Sequence, residues 1–159
     1  MIQEELLDLG IDISAGQIDR LLNEGHEQFH QEKDALLPAA REVSSYFQAD
    51  DTGARHLGKN AYTTVIANPW FASFSTTPSK IPLHNNLSER DIREWAKKRK
   101  ISAGTRSELG RRCRDTFISL KKTCRKLGVS FWRYLQDRIR GAGEILPLPE
   151  LIRQAAQET

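Results

Sequence analysis

The chain has 159 residues, 38% of them hydrophobic and 28% charged, which fits about one folded domain and excludes wholesale disorder. No apolar run approaches the roughly 18 residues of a membrane span, the acidic start Met1–Glu5 predicts neither a secretory signal nor a transit peptide, and two cysteines are too few for a disulfide framework or a four-ligand zinc site, so a reducing cytoplasm is expected. The net charge of +3 conceals a split: residues 1–50 hold three basic and eleven acidic residues, whereas Arg90 to Arg140 holds seventeen basic and five acidic, which points the second half towards a nucleic acid or another polyanion.

Taken in chain order, Leu6, Leu7 and Leu9 predict a helix over residues 2–9 that Gly10 stops. Ser14 and Gln17 then fit a capping box, with Ile13 and Ile18 as its hydrophobic staple, and open a helix carrying Ile18, Leu21 and Leu22 on one face. This is a helix-turn-helix pattern, but its second helix has one cation, Arg20, so a packing or dimerisation module is favoured over DNA reading there. Phe29, Leu36, Leu37 and Val43 mark a helix from about Glu27 to Ser44, which Pro38 is expected to break or kink. The period then changes. Tyr46–Asp50 reads as a short strand ending in a turn at Asp51-Thr52-Gly53, Ala61–Ala67 is a β-branched strand, and Trp70–Phe74 alternates across a third, with Asn68-Pro69 as the turn between the last two. These make a small antiparallel meander.

Ser75–Pro82 reads as a loop, and the remainder returns to helix. Ser88 with Asp91, and Thr105 with Glu108, suit capping boxes for two helices. The first carries Ile92 and Trp95. The second places Leu109, Cys113, Phe117, Leu120, Cys124 and Leu127 on one stripe before a stop at Gly128, with the cysteines as small hydrophobes rather than metal ligands. Ser130 caps a further helix ended by Gly141, and Pro147 and Pro149 introduce a last one. The expected fold is α+β, mostly helical with a small antiparallel β-meander, in three regions: an acidic helical 1–45, the meander 46–82, and a basic helical 83–159.

Two short motifs carry candidate chemistry. A carboxylate such as Asp50, at a strand end, suits Mg²⁺, which takes hard oxygen ligands, although Asp50-Asp51-Thr52-Gly53 serves equally as a plain turn. In Asn85-Asn86-Leu87-Ser88-Glu89-Arg90 the glutamate opens a helix, where the dipole favours it in any case. In this order the motifs resemble those of the Asp-Asp-Glu transposases of the insertion sequence 66 family. Ala49-Asp50-Asp51-Thr52 matches the Ala-Asp-Glu/Asp-Thr motif on the first strand of that family's ribonuclease-H-like fold, and Asn85–Arg90 matches its Asn-Asn-x-x-Glu-Arg motif. The likeness runs from about residue 4 to 140, through Gly10–Ser14, Arg99–Ser102, Thr105–Ser107 and Gly128–Ser130.

The resemblance implies a bacterial protein of DNA transposition, with Asp50 and Glu89 as catalytic, Mg²⁺-holding residues. It also places basic residues after the glutamate along DNA phosphates: Arg90, Lys97, Lys98, Arg99, Lys100, Arg106, Arg111 and Arg112. A second catalytic Asp belongs between the motifs, yet residues 52–88 contain no Asp or Glu. The chain therefore reads as an internally deleted copy, lacking the family's cysteine-containing N-terminal region as well. Asp51 is a poor substitute because neighbouring strand residues face opposite ways, so cleavage is expected to be weak or absent. The deletion should also leave sheet edges exposed. Alternatives are a non-catalytic DNA-binding regulator, partnered by a second copy or an intact transposase, and a nonfunctional relic.

Overall fold

The computed structural model describes residues 2–44, 46–78 and 107–158. Its described elements are helices α1 (Ile2–Asp8), α2 (Ala15–Asn23) and α3 (Glu27–Val43), strands β1 (Gln48–His56), β2 (Lys59–Ala67) and β3 (Ala72–Thr77), and helices α4 (Glu108–Lys126), α5 (Phe131–Arg140) and α6 (Leu148–Gln157). The fold class is α+β, mostly helical, with one antiparallel sheet in the order β1-β2-β3. No described helix is long and apolar enough to cross a membrane.

Local chemistry accounts for most element ends. The Ser14 hydroxyl accepts from the Gln17 N–H while the Gln17 side chain accepts from the Ser14 N–H, the anticipated capping box. Gly128 and Gly141 take left-handed conformations after α4 and α5, with φ of 70° and 66°. The cap of α4 is Ser107 rather than Thr105, its hydroxyl accepting from the Gly110 N–H at 3.0 Å. Helix α3 does not end at Pro38: it continues to Val43, because Leu36, Ala39 and Ala40 around the proline are fully buried and their packing outweighs one lost backbone bond.

The meander has longer strands than the residue pattern indicates. Asp51-Thr52-Gly53 is not a turn but the middle of β1, paired with Thr64, Thr63 and Tyr62. The chain reverses at Leu57-Gly58, whose φ values of 50° and 74° are those of a two-residue hairpin turn with both central residues left-handed. Asn68 makes the second turn, its Oδ1 accepting from the N–H groups of Trp70 and Phe71. Strand β3 runs on to Thr77, so Ser75, Thr76 and Thr77 belong to the sheet and not to a loop.

Helix α4 is the centre of the molecule because it is buried on opposite sides. Cys113, Leu120 and Cys124 of the apolar stripe are buried, Leu120 and Cys124 in a core with Phe29, Leu36 and Ala40 of α3, Phe71, Tyr134 of α5, and Leu148 and Ile152 of α6. The other side is polar and closes the free edge of β3. Asp115 Oδ2 accepts from the Thr76 N–H at 2.8 Å, Ser119 Oγ from the Phe74 N–H at 2.8 Å, and Thr123 Oγ1 from the Ala72 N–H at 3.2 Å. Four helical residues rise about 6.0 Å and two strand residues about 6.8 Å, so a side chain every fourth residue meets every outward amide. Arg111 adds a bond to the Thr76 carbonyl and Lys126 one to Asn68 O. The expectation of exposed edges is thus corrected at β3, where a helix supplies the missing partner.

Ser119→Ala strands the buried Phe74 N–H and should cost about 1–3 kcal/mol. Asp115→Ala strips acceptors from both the amide and the hydroxyl of Thr76 and should cost about 3 kcal/mol or more. Urea denaturation of both variants beside Leu109→Ala, at a half-exposed position of the same helix, checks this order. Equal losses in all three would contradict it.

Candidate functional site

Asp50 stands on the first strand, as the motif requires, but in mid-strand. It lies opposite Val65, on the face shared with Phe74, and its Oδ1 accepts from the Asp51 N–H at 2.8 Å. Asp51 is opposite Thr64, on the other face, and accepts the Thr64 hydroxyl at Oδ1; its Oδ2 is buried with no hydrogen-bond partner among the described residues. The two carboxylates therefore do not converge on one ion. Among the described residues no three His, Cys, Asp or Glu side chains come together as a metal cage. Glu89, Arg90, Lys97, Lys98, Arg99, Lys100 and Arg106 lie outside the described residues, as do the helix carrying Ile92 and Trp95 and the Thr105 position.

The remaining two cations expected on DNA are engaged within the fold. Arg111 pairs with Glu108 and reaches Asp115 at 3.5 Å as well as the Thr76 carbonyl. Arg112 pairs with Glu27 of α3 at 3.3 Å. Two further acids of α3 meet arginines of the basic half: Glu42 with Arg153, and Glu32 with Arg138.

The Glu32–Arg138 pair lies under the surface, with side-chain exposures of 11% and 15%. The residue pattern of separate acidic and basic halves does not show it. Arg138 donates to Glu32, to Asp137 and to the carbonyls of Ile145 and Leu146, using all five of its N–H groups. Glu32 also accepts the Tyr134 hydroxyl and the Leu148 N–H at the start of α6. Its bond to Glu32 raises the affinity of Arg138 for its proton, whereas burial and the nearby Glu32 carboxylate push the Tyr134 phenol upward. With Arg138 using every donor and each Glu32 oxygen accepting two bonds, the network ties α3, α5 and α6 together.

A second buried cluster joins α3 to α4. His30 Nδ1 lies 2.7 Å from Thr116 Oγ1, and the Cys113 thiol donates to Asn23 O at 3.2 Å while lying 3.9 Å from His30 Nε2. A cysteine beside a histidine resembles a nucleophile and its base, but burial pushes the Cys113 thiol up and the His30 imidazole down, leaving both neutral. Cys124 is pushed up to about 12 by burial and by Glu32. Both thiols are therefore protonated at neutral pH, as befits packed hydrophobes.

Cations that pair with nothing described gather at the junction of α4 and α5. Arg125, Arg133 and Arg140 are exposed and make no ion pair among the described residues. They line two open clefts of about 470 and 770 Å³ that share Gly128, Val129 and Ser130.

Comparison with known proteins adds one relative. A protein of Sinorhizobium fredii described as "Uncharacterized protein y4jO" is 54% identical over 77 residues, which is 48% of this chain and 24% of that protein. The chain thus spans about a quarter of the length of the curated relative it matches. No family model and no solved structure matches the chain.

The lowered His30 value has a consequence for stability. In a window just below the ordinary histidine value of about 6.5, the unfolded chain binds a proton that the folded chain refuses. Stability therefore falls as pH drops through that window and is level in this respect above it. Urea midpoints at pH 7.5 and 5.5 should differ in that direction, and His30→Gln should shrink the difference. An unchanged difference would assign it to other groups.

Proposed function

We propose that the chain is a transposase-derived DNA-binding protein, of the insertion sequence 66 type, whose cleavage chemistry is impaired. The observation that carries this reading is charge. Residues 107–158 hold eleven basic and six acidic residues, and after the internal pairs are formed Arg125, Arg133 and Arg140 still face outward without an acidic partner among the described residues. Cations left over in this way suit the phosphates of a nucleic acid. Two features support the family reading: Asp50 lies on the first strand of the sheet, and the paired motifs around Asp50 and Glu89 stand in the family's order. On this reading the antiparallel sheet is what remains of a ribonuclease-H-like sheet.

The same reading limits the chemistry. Mg²⁺ ions held by three carboxylates would activate a water or a 3′-hydroxyl and stabilise the leaving oxygen at a phosphodiester. This chain offers Asp50 and Glu89, has no acidic residue between positions 52 and 88, and turns Asp51 to the opposite face of the sheet. Those residues do not complete the set, and no cleavage step is assigned to them. A protein that occupies DNA without cutting it would act in the bacterial cytoplasm as a competitor or regulator of an intact transposase, alone or as a second copy bound to it.

The test is binding and cleavage on labelled duplex DNA. With about four phosphate contacts, affinity should fall about a hundredfold between 50 and 200 mM salt, and neither Mg²⁺ nor Mn²⁺ should produce nicks. Salt-independent affinity would remove the electrostatic basis of the proposal. Robust nicking that both Asp50→Asn and Glu89→Gln abolish would show that the active site survives.

A further inference from the structure

The arrangement of helix, glycine turn and capped helix occurs twice in this chain. The first, α1 and α2, is acidic. The second is α4 and α5: α4 ends at Lys126, the chain reverses over residues 127–130 with Gly128 left-handed, and the Ser130 hydroxyl caps α5. From Lys121 to Arg140 there are seven basic residues and one acidic, Asp137. That carboxylate is occupied, accepting from Arg138 at one oxygen and from the Glu144 N–H at the other.

Helix α5 divides cleanly into two faces. Tyr134 and Asp137 are buried, with Phe131, Leu135 and Arg138 beside them. Trp132, Arg133, Ile139 and Arg140 are exposed, and Gln136 lies among them; Trp132 and Ile139 are 67% and 72% exposed. At about 100° per residue these five outward positions fall within roughly a third of the helix circumference, so they form one surface. The clefts flank its start: Lys121, Lys122 and Arg125 line the smaller, and Arg133, Gln136, Arg140 and Glu144 the larger.

We infer that this outward face of α5, with the turn and the cationic end of α4, is a duplex-DNA interface in which α5 enters the major groove. The inference rests on the DNA-binding reading above and assigns it to residues other than Arg111 and Arg112, which the fold uses internally. The residue types match the task. Arginine and glutamine are the side chains whose paired hydrogen-bonding atoms fit guanine and adenine edges, and exposed Trp132 and Ile139 offer apolar contact to thymine methyl groups. Arg125, on the preceding helix, is placed for a phosphate, and the amides that open α5 favour an anion as well. A helix, about 10–12 Å across with its side chains, fits a major groove about 12 Å wide. The deep, narrow groove of duplex RNA does not admit it.

The experiment is fluorescence anisotropy of the full chain with labelled 20-base-pair DNA at low salt, comparing Arg133→Gln, Arg140→Gln and Arg41→Gln; Arg41 is an exposed cation on α3. Thermal unfolding of each variant controls for folding. The expected result is about a tenfold loss of affinity for each α5 variant, unchanged melting, and no change for Arg41→Gln. Full affinity in both α5 variants would overturn this interface while leaving DNA binding intact. Equal losses in all three variants would overturn it in favour of diffuse charge, and equally tight binding of duplex RNA or of anionic vesicles would overturn the groove. Absence of any DNA binding by the wild-type chain would remove the function proposed above and this surface with it.

Discussion

The ladder between α4 and β3 is the constraint from which the rest of the structure follows. An edge strand presents amides that must find acceptors, and here Asp115, Ser119 and Thr123 supply them from a helix instead of from another strand. Because the match relies on helical and strand rises being nearly commensurate, it fixes both the height and the rotation of α4 against the sheet. With that side committed, the apolar stripe must turn the opposite way, towards α3, α5 and α6. Burial raises the affinity of Asp115 for its proton, while Arg114, Thr76 and Arg111 favour its charged form. A lone carboxylate in that position would be costly; this one is surrounded by donors.

The charge split between the two halves of the chain acquires a structural meaning in the fold. Glu27, Glu32 and Glu42 lie along α3, and Arg112, Arg138 and Arg153 come to them from α4, α5 and α6 in turn. The exposed pairs add little to stability. Glu32–Arg138 differs because it is shielded and fully hydrogen-bonded, so losing either member would strand the other. The acidic front therefore serves as the counter-surface of the basic back, and it selects which arginines remain exposed without an acidic partner among the described residues. A count along the chain cannot make that selection, since Arg112 and Arg133 look alike until α3 is in place.

Periodicity and capping chemistry were legible wherever one local rule governed. The Ser14–Gln17 box, the stops at Gly128 and Gly141, the Asn68 turn and the order of the meander all come from short-range patterns. Failures arose where tertiary contacts outweighed such rules. Pro38 stays inside α3 because its neighbours are buried, and Asp51-Thr52-Gly53 has turn composition but is held extended by β2, while the actual reversal uses Leu57, an unusual residue for a positive φ. The polar stripe Asp115-Ser119-Thr123 reads as a solvated helix face by hydropathy; its spacing of four was the available signal, and it gains meaning only with a strand edge beside it. Of the candidate site, the presence of Asp50 on the first strand was legible, whereas the continuation of that strand to His56 and the internal use of Arg111 and Arg112 were not.

The ladder also bears on whether the parts of the chain on either side of residues 79–106 could stand apart. Strand β3 precedes residues 79–106 and α4 follows them, yet each completes the other: the amides of β3 need the side chains of α4, and Ile118 of α4 closes the core formed by Val65, Ala67, Ala72 and Phe74. The larger core likewise draws on α3 and Phe71 before that segment and on α4, α5 and α6 after it. Neither side buries its apolar surface alone, which is the condition for a single cooperative unit. The capacities proposed for the chain depend on this unit unequally. Metal chemistry would require carboxylates converging near β1, where the strand turns Asp50 and Asp51 apart. The cationic face of α5 needs only α4 and α3 behind it, and both are locked in place, so the DNA binding proposed above would not depend on a metal site at β1.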